Sequence, residues 1–138
     1  MSASRIGLDP EFAKKLSRFE IALAKQGIKV ILTWGYRSIM SQNQLYAKGR
    51  TAPGSVVTNA RGGYSWHNYG LAADYAFVID GKVTWNGPWD KFGKIARDFG
   101  LEWGGSWKKF TDRPHVQCTR GKTLAQMRAV ARTRAAQK

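Results

Sequence analysis

The sequence predicts an α+β domain in which helices flank a small, mostly antiparallel sheet. Three observations carry that reading. An apolar stripe repeats at helical spacing near the N-terminus, two β-rich stretches follow with a hairpin signal after the second, and further helical segments are closed by glycines. The first helix opens at Asp9-Pro10, where aspartate can cap the first turn and proline fits it. Phe12, Leu16, Phe19 and Leu23 then form one face, and Gly27 ends the helix. Residues 28–34 read as a strand. A second helix is expected from near Ser38 through Gln42 and Leu45, stopping at Gly49. Residues 50–64 contain Pro53, Gly54, Gly62 and Gly63 without periodicity and read as a long surface loop, a class that is often functional. Residues 71–79 are apolar except for Asp74 and read as a central strand. Asp80-Gly81 signals a hairpin returning through residues 82–85. Residues 88–99 suit a helix ended by Gly100. Residues 101–103 and 115–117 read as short strands around the loop 104–114.

At 138 residues the chain is long enough for one domain with a core, and its 43% hydrophobic content argues against disorder. The division expected is a body over residues 1–118 and a C-terminal segment over 119–138, either part of the same domain or an appendage. That segment carries six basic residues and no acid, with Leu124, Met127 and Ala131 on one side of a helix. It reads either as a terminal helix packed on the core or as a cationic amphipathic element that meets anionic membranes. The whole chain holds 23 Lys and Arg against 9 acids, a net charge of +14 that predicts attraction to polyanions without choosing among nucleic acid, lipid and cell-wall polymer. No zinc-finger, RNA-recognition or phosphate-loop pattern accompanies the charge, so a specific nucleic-acid partner is not expected. The single cysteine, Cys118, excludes an internal disulfide and is read as an idle thiol rather than a ligand. No apolar run reaches signal-peptide or membrane-span length, so the chain is expected to be held in the cytoplasm until another factor releases it.

Only two histidines are present, and both sit in stretches that read as one metal site. His67, Asp74 and His115 offer two imidazoles and one carboxylate, a set suited to a catalytic zinc with its fourth position open for water. Asp112, three residues before His115, could act as the base on that water, with Glu102 as the alternative. Asp74 lies in an apolar strand, where an ionised carboxylate needs a partner. Taken alone it is served equally well by an arginine or by a metal, and the joint pattern with the histidines favours the metal.

Ser65-x-His67-x-x-Gly70-x-Ala72-x-Asp74, followed by Asp112-x-Pro114-His115, resembles the zinc peptidases of the D-alanyl-D-alanine carboxypeptidase and dipeptidase clan. Gly35-Tyr36-Arg37-Ser38-x-x-x-Gln42-x-x-Leu45-Tyr46-x-x-Gly49-Arg50-Thr51 and Trp103-Gly104-Gly105-Ser106-Trp107 are similar to blocks of its L-alanyl-D-glutamate endopeptidase branch, which includes many phage endolysins. Together the similar blocks span residues 28–117. The resemblance implies a zinc site in a cleft on the sheet, ligated by His67, Asp74 and His115, with Asp112 as general base. It further implies that Arg37 lies in the cleft to hold a substrate carboxylate or the developing oxyanion, with Gln42 and Ser65 as candidates for substrate hydrogen bonds. Ser106 departs from the branch, where aspartate is usual. Of the six tryptophans, some are candidates for stacking on sugar and the rest for the core.

The function expected is a monomeric, zinc-dependent endopeptidase of peptidoglycan that cuts the stem peptide between L-alanine and D-glutamate. It would serve as a phage endolysin, released from the host cytoplasm with the help of a holin, and its basic tail could engage lipopolysaccharide or membrane. The alternatives are a D,D- or L,D-carboxypeptidase of the same clan or, from another class, a cationic nucleic-acid- or membrane-binding protein.

Overall fold

The computed structural model describes residues 3–136. In chain order the elements are α1 (Pro10–Lys25), β1 (Val30–Trp34), α2 (Ile39–Ala47), β2 (Ala72–Ile79), β3 (Lys82–Thr84), α3 (Trp89–Asp98), β4 (Glu102–Trp103), β5 (His115–Gln117) and α4 (Leu124–Ala136). Two short 3-10 helices, Trp66–Tyr69 and Gly104–Ser106, were not expected from the sequence. The loop over 50–64 contains no helix or strand, as expected. Among the described residues no helix is long and apolar enough to cross a membrane.

Both expected strand starts, at Ile28 and Leu101, are displaced, and for one physical reason. Gly27 (φ +75) and Gly100 (φ +74) terminate α1 and α3 in the left-handed conformation. In each case the next residue turns its N–H back into the helix: Ile28 donates to Leu23 O and Leu101 to Ala96 O, at 2.9 and 3.0 Å. Gly27 and Gly100 donate to Ala24 O and Arg97 O at 2.9 Å, which completes a Schellman motif at both ends. The apolar residue that looks like the first of a strand is therefore the hydrophobic plug of a helix terminus. At the other end of α1, Asp9 accepts from Phe12 N at 3.0 Å, as its cap position predicts.

Every strand pairing is antiparallel. The order is β1-β2-β5-β4, with β3 pairing the far half of β2 through the Asp80-Gly81 turn. Strand alternation sorts β2 into two faces. Ala73, Tyr75 and Phe77 point into the core with Leu32 of β1 and Val116 of β5. There they meet Phe12, Leu16, Phe19 and Leu23 of α1 and Phe92 and Ala96 of α3. Phe19 stands edge-on to Tyr75 and Phe92, with ring centroids 5.8 and 5.1 Å apart. Each such fully buried side chain contributes about 1.5–3 kcal/mol of hydrophobic stabilisation. Asp74 on β2 and His115 and Gln117 on β5 point to the opposite face, which is the one that carries the site.

The C-terminal segment is tied to the body. Arg120 pairs with Asp9 at the start of α1, and Met127 packs against the core. Leu124, Met127 and Ala131 are half-buried, so the apolar stripe of α4 faces the body rather than open solvent. Lys138, one of the six basic residues of the tail, lies outside the described residues.

Candidate metal centre and its cleft

The site is assembled by strand register and one tight turn. In the β2–β5 ladder Asp74 lies directly opposite His115. On the far side of β2, Asp74 pairs with Trp34 at the end of β1. His67 arrives on the 3-10 helix that precedes β2. Ser65 caps that helix, its hydroxyl accepting from His67 N at 3.3 Å, while Asn68 Oδ1 accepts from Ser65 N and Gly63 N. Asn68 Nδ2 donates to Arg37 O, which ties the turn to the segment after β1. The turn closes at Gly70 (φ +70), where a Cβ would lie 2.3 Å from Gly7 O, so glycine is required on two counts.

Among the described residues, His67, Asp74 and His115 form a cluster whose potential ligand atoms all lie within 4.8 Å of one another. His67 Nε2 is 3.4 Å from Asp74 Oδ2, and His115 Nδ1 is 3.0 Å from Asp74 Oδ1. The hydrogen-bond network assigns the tautomers. His67 Nδ1 faces Gly35 O at 2.8 Å; a carbonyl only accepts, so Nδ1 carries the proton and Nε2 presents a lone pair. Gln117 Nε2 donates to the Glu102 carboxylate at 3.0 Å, which turns Gln117 Oε1 toward His115 Nε2 at 2.7 Å. His115 Nε2 must then donate, and its Nδ1 also presents a lone pair.

Two imidazole lone pairs and a carboxylate thus converge with no donor among them. Such a set is satisfied by a shared cation, and two nitrogens with one oxygen from three protein ligands suit zinc with an open position. Without metal, a proton takes that place. Burial disfavours charge on both partners, but the hydrogen bonds and charges they exchange outweigh it. Asp74 is held well below the usual carboxylate range by His115 and His67, and His115 is raised chiefly by Asp74.

The cluster forms part of the floor of a cleft of about 890 Å³ lined by Arg37, Tyr64, Ser65, Trp107 and Asp112 among others. Asp112 is half-exposed, with Oδ2 3.9 Å from His115 Nδ1. Burial, and then the neighbouring Asp74 carboxylate, raise its pKa, against the opposing pull of the two histidines. Arg37 is only 9% exposed. Its Nη1 donates to Gln42 Oε1 at 2.9 Å, its guanidinium lies 4.4 Å from the centre of the Trp34 ring, and its buried Nε has no partner. Burial lowers its pKa, partly offset by Asp74.

Some positions lie elsewhere than the sequence implied. Gln42 is fully buried behind Arg37, and its amide is engaged by Arg37 and by Ala60 O at 2.7 Å. It is therefore placed to hold the guanidinium rather than to touch substrate. Ser65 does line the cleft, with its hydroxyl proton left to donate. Glu102 faces Gln117 and Thr119 outside the cleft, which disfavours it as the base. Cys118, three residues past His115, falls on the opposite face of the strand and packs against the core, so the idle-thiol reading agrees with its position. Ser106 accepts from Arg97 Nη1 at 3.1 Å away from the metal cluster. Trp34, Trp66 and Trp107 line the cleft, whereas Trp89 and Trp103 belong to the core.

Sequence reasoning missed Gln117 as the orienter of His115 and Tyr64 as part of the cleft wall. The signal for Gln117 was its place two residues after a candidate ligand on a strand, hence on the same face.

A family model for D-alanyl-D-alanine carboxypeptidase matches residues 58–118. The peptidoglycan L-alanyl-D-glutamate endopeptidase CwlK of Bacillus subtilis is 43% identical over 121 residues, covering 80% of this chain and 72% of the relative. An L-alanyl-D-glutamate peptidase of a Listeria phage is 30% identical over 95 residues, 66% of this chain and 31% of that protein. Among solved structures, the L-Ala D-Glu endopeptidase ChiX of Serratia marcescens superposes with a TM-score of 0.58 at 26% identity, covering 83% of each chain.

Proposed function

The chain belongs to the D-alanyl-D-alanine carboxypeptidase family of metallopeptidases, in its L-alanyl-D-glutamate endopeptidase branch, and from that premise we propose that it hydrolyses the L-alanyl-D-glutamate bond of the peptidoglycan stem peptide. The observation that carries the reading is the convergence of the His67, Asp74 and His115 lone pairs at the floor of a cleft that also holds Asp112 and Arg37.

His67 through Nε2, Asp74 through its carboxylate and His115 through Nδ1 would hold zinc. When bound, zinc supplies a Lewis acid that polarises the scissile carbonyl and makes water acidic enough to attack near neutral pH. Asp112 takes the proton of the attacking water on its carboxylate and delivers it to the leaving amine nitrogen. Its carboxylate lies 3.9 Å from His115 Nδ1, beside the metal-holding cluster, where it can accept a proton from water and return it. Arg37, oriented by Gln42 and Trp34 and with its Nε unpaired, offers a charged donor for a substrate carboxylate or the oxygen that gains charge in the transition state. Ser65 can donate a hydrogen bond to the peptide backbone. The Trp34 and Trp107 rings line the cleft on either side of the reacting centre.

The biological role that fits is lysis of a bacterial host by a phage endolysin, supported by likeness to the Listeria phage peptidase. In this role the protein reaches the wall from the host cytoplasm after a holin opens the membrane. The basic charge then favours approach to anionic wall polymer, lipopolysaccharide or membrane.

The test is digestion of purified peptidoglycan with mass spectrometry of the products. New D-glutamate amino termini and L-alanine carboxyl termini are the expected result. Release of free D-alanine without those termini would assign the chain to the carboxypeptidases instead.

A further inference from the structure

Tyr64 stands in the wall of the cleft on the loop that leads to His67, and it is surrounded by arginines from two distant parts of the chain. Arg61 donates through Nη2 to the Tyr64 hydroxyl at 3.1 Å, with its guanidinium 4.6 Å from the ring centre. Arg128 of α4 lies 3.8 Å from the same ring centre. Arg132 lies one turn further along α4 and adds to the positive charge acting on Tyr64. Among the described residues, none of these three guanidiniums has a carboxylate within ion-pair distance.

The arrangement has a chemical consequence. The Tyr64 oxygen already accepts from Arg61, so its own proton remains to be donated. Guanidiniums beside a phenol strengthen it as a donor, because they stabilise the charge that develops on its oxygen; Arg61 and Arg128 accordingly lower its pKa. A strong O–H donor flanked by uncompensated cations is built for an anion, and a planar carboxylate suits the guanidinium fork. Contact with the one Tyr64 ring holds both Arg61 and Arg128 in place, which reduces the side-chain entropy lost on binding.

We infer that Tyr64, Arg61 and Arg128 form a carboxylate subsite on the rim of the cleft, which takes a stem-peptide carboxylate lying away from the scissile bond. The inference rests on the stem-peptide reading above and adds a second anionic anchor to the one assigned to Arg37. It also gives α4 a role beside the cleft, since Arg128 of that helix stacks on Tyr64 of the cleft wall.

The experiment compares synthetic stem peptides in which single carboxylates are free or amidated, using the full chain. For the wild type, amidating the distal carboxylate should raise KM about tenfold, the loss of one charge-assisted contact, with kcat unchanged. The double variant Arg61→Gln/Arg128→Gln should show that higher KM on the free acid and lose nothing further on the amide. Arg128→Lys should keep only part of the preference, because the charge is retained while the planar fork stacked on Tyr64 is lost. Amidating the carboxylate beside the scissile bond serves as the control arm for Arg37.

Indifference of the wild type to distal amidation would overturn the subsite, as would equal losses by the double variant on both peptides with a lowered Tm. Competition by inorganic polyphosphate without discrimination between peptides would assign the rim to wall phosphate and overturn it as well. Should the wild type cut neither peptide, the endopeptidase reading falls. The subsite is then judged by NMR: Tyr64 ring shifts on adding the free acid but not the amide support it, and no shifts with either overturn it.

Discussion

The floor and the wall of the cleft are built on opposite principles. On the floor, His67, Asp74 and His115 are largely buried, and each imidazole is fixed by a hydrogen bond on its outer side, to Gly35 O and to Gln117. Strand register sets their spacing, so the group has little freedom to rearrange. The wall consists of loop residues, among them Val57, Tyr64 and Phe110, that are substantially exposed, with α4 behind Tyr64. Rigid, short-range geometry serves chemistry that tolerates little displacement, and exposed, long-range contacts serve the choice of substrate. Substitutions on the floor should therefore act on metal and kcat, and those on the wall on KM.

Asp112 sits at the boundary and gives the largest expected effect. Asp112→Asn should lower kcat by about 10²–10⁴-fold, the range for a lost general base, while zinc content stays at the wild-type level. Metal analysis beside a peptidoglycan assay checks both halves. Loss of zinc together with activity would move Asp112 down into the metal-holding floor.

The two regions also differ in how far the sequence discloses them. The floor is legible because its parts lie within short spacings: Ser65 to Asp74, and Asp112 to His115. Helix α1 was legible because one apolar stripe and one cap coincide. Ile28 and Leu101 misled because the apolar residue that closes a Schellman motif looks like the start of a strand. Gln42 was implied as a substrate ligand by the family-like block it shares with Arg37, a pattern that carries no information on burial. The rim was not legible at all, since Tyr64 and Arg128 meet only through the packing of α4. No local pattern encodes such a contact.

Next in size is the orienter on the floor. Gln117→Leu should weaken zinc binding by about 10–100-fold, as loss of a ligand's outer hydrogen bond typically does. Glu102→Gln should change little, because its amide oxygen can still accept from Gln117 and keep that side chain aligned. Chelator competition measures both affinities. A severe kcat loss in Glu102→Gln with zinc bound would instead make Glu102 the base.

Metal removal sharpens the contrast through pH. Asp74 has a depressed folded pKa, so its stabilising contribution is present above the unfolded carboxylate value and lost as pH falls through the folded one. His115 has a raised folded pKa, so its contribution is full below the unfolded imidazole value and disappears as pH rises through the folded one. The zinc-free protein should therefore lose Tm on the alkaline side, while zinc binds better there because its imidazoles are neutral. Calorimetric scans with and without chelator should show the Tm gap widening as pH rises above the histidine range. A gap that narrows would show that the three groups do not share one cation.

The smallest effect is expected away from both regions. Ser106→Asp would place a carboxylate against Arg97, an exposed pair worth about 0.2–1 kcal/mol of stability. Turnover should be unaffected, and denaturant melts beside activity assays would check this. A changed kcat would bring this position into the site after all.

The most direct measurement is zinc stoichiometry in purified wild type, His67→Ala and His115→Ala, each read beside its stem-peptide cleavage. The wild type should hold one zinc per chain and cut the L-alanyl-D-glutamate bond. Both variants should bind zinc far more weakly and cut nothing, while keeping the circular-dichroism spectrum of the wild type. Full zinc occupancy in both variants, or undiminished cleavage by either, would contradict the assignment of the buried floor as the catalytic metal centre.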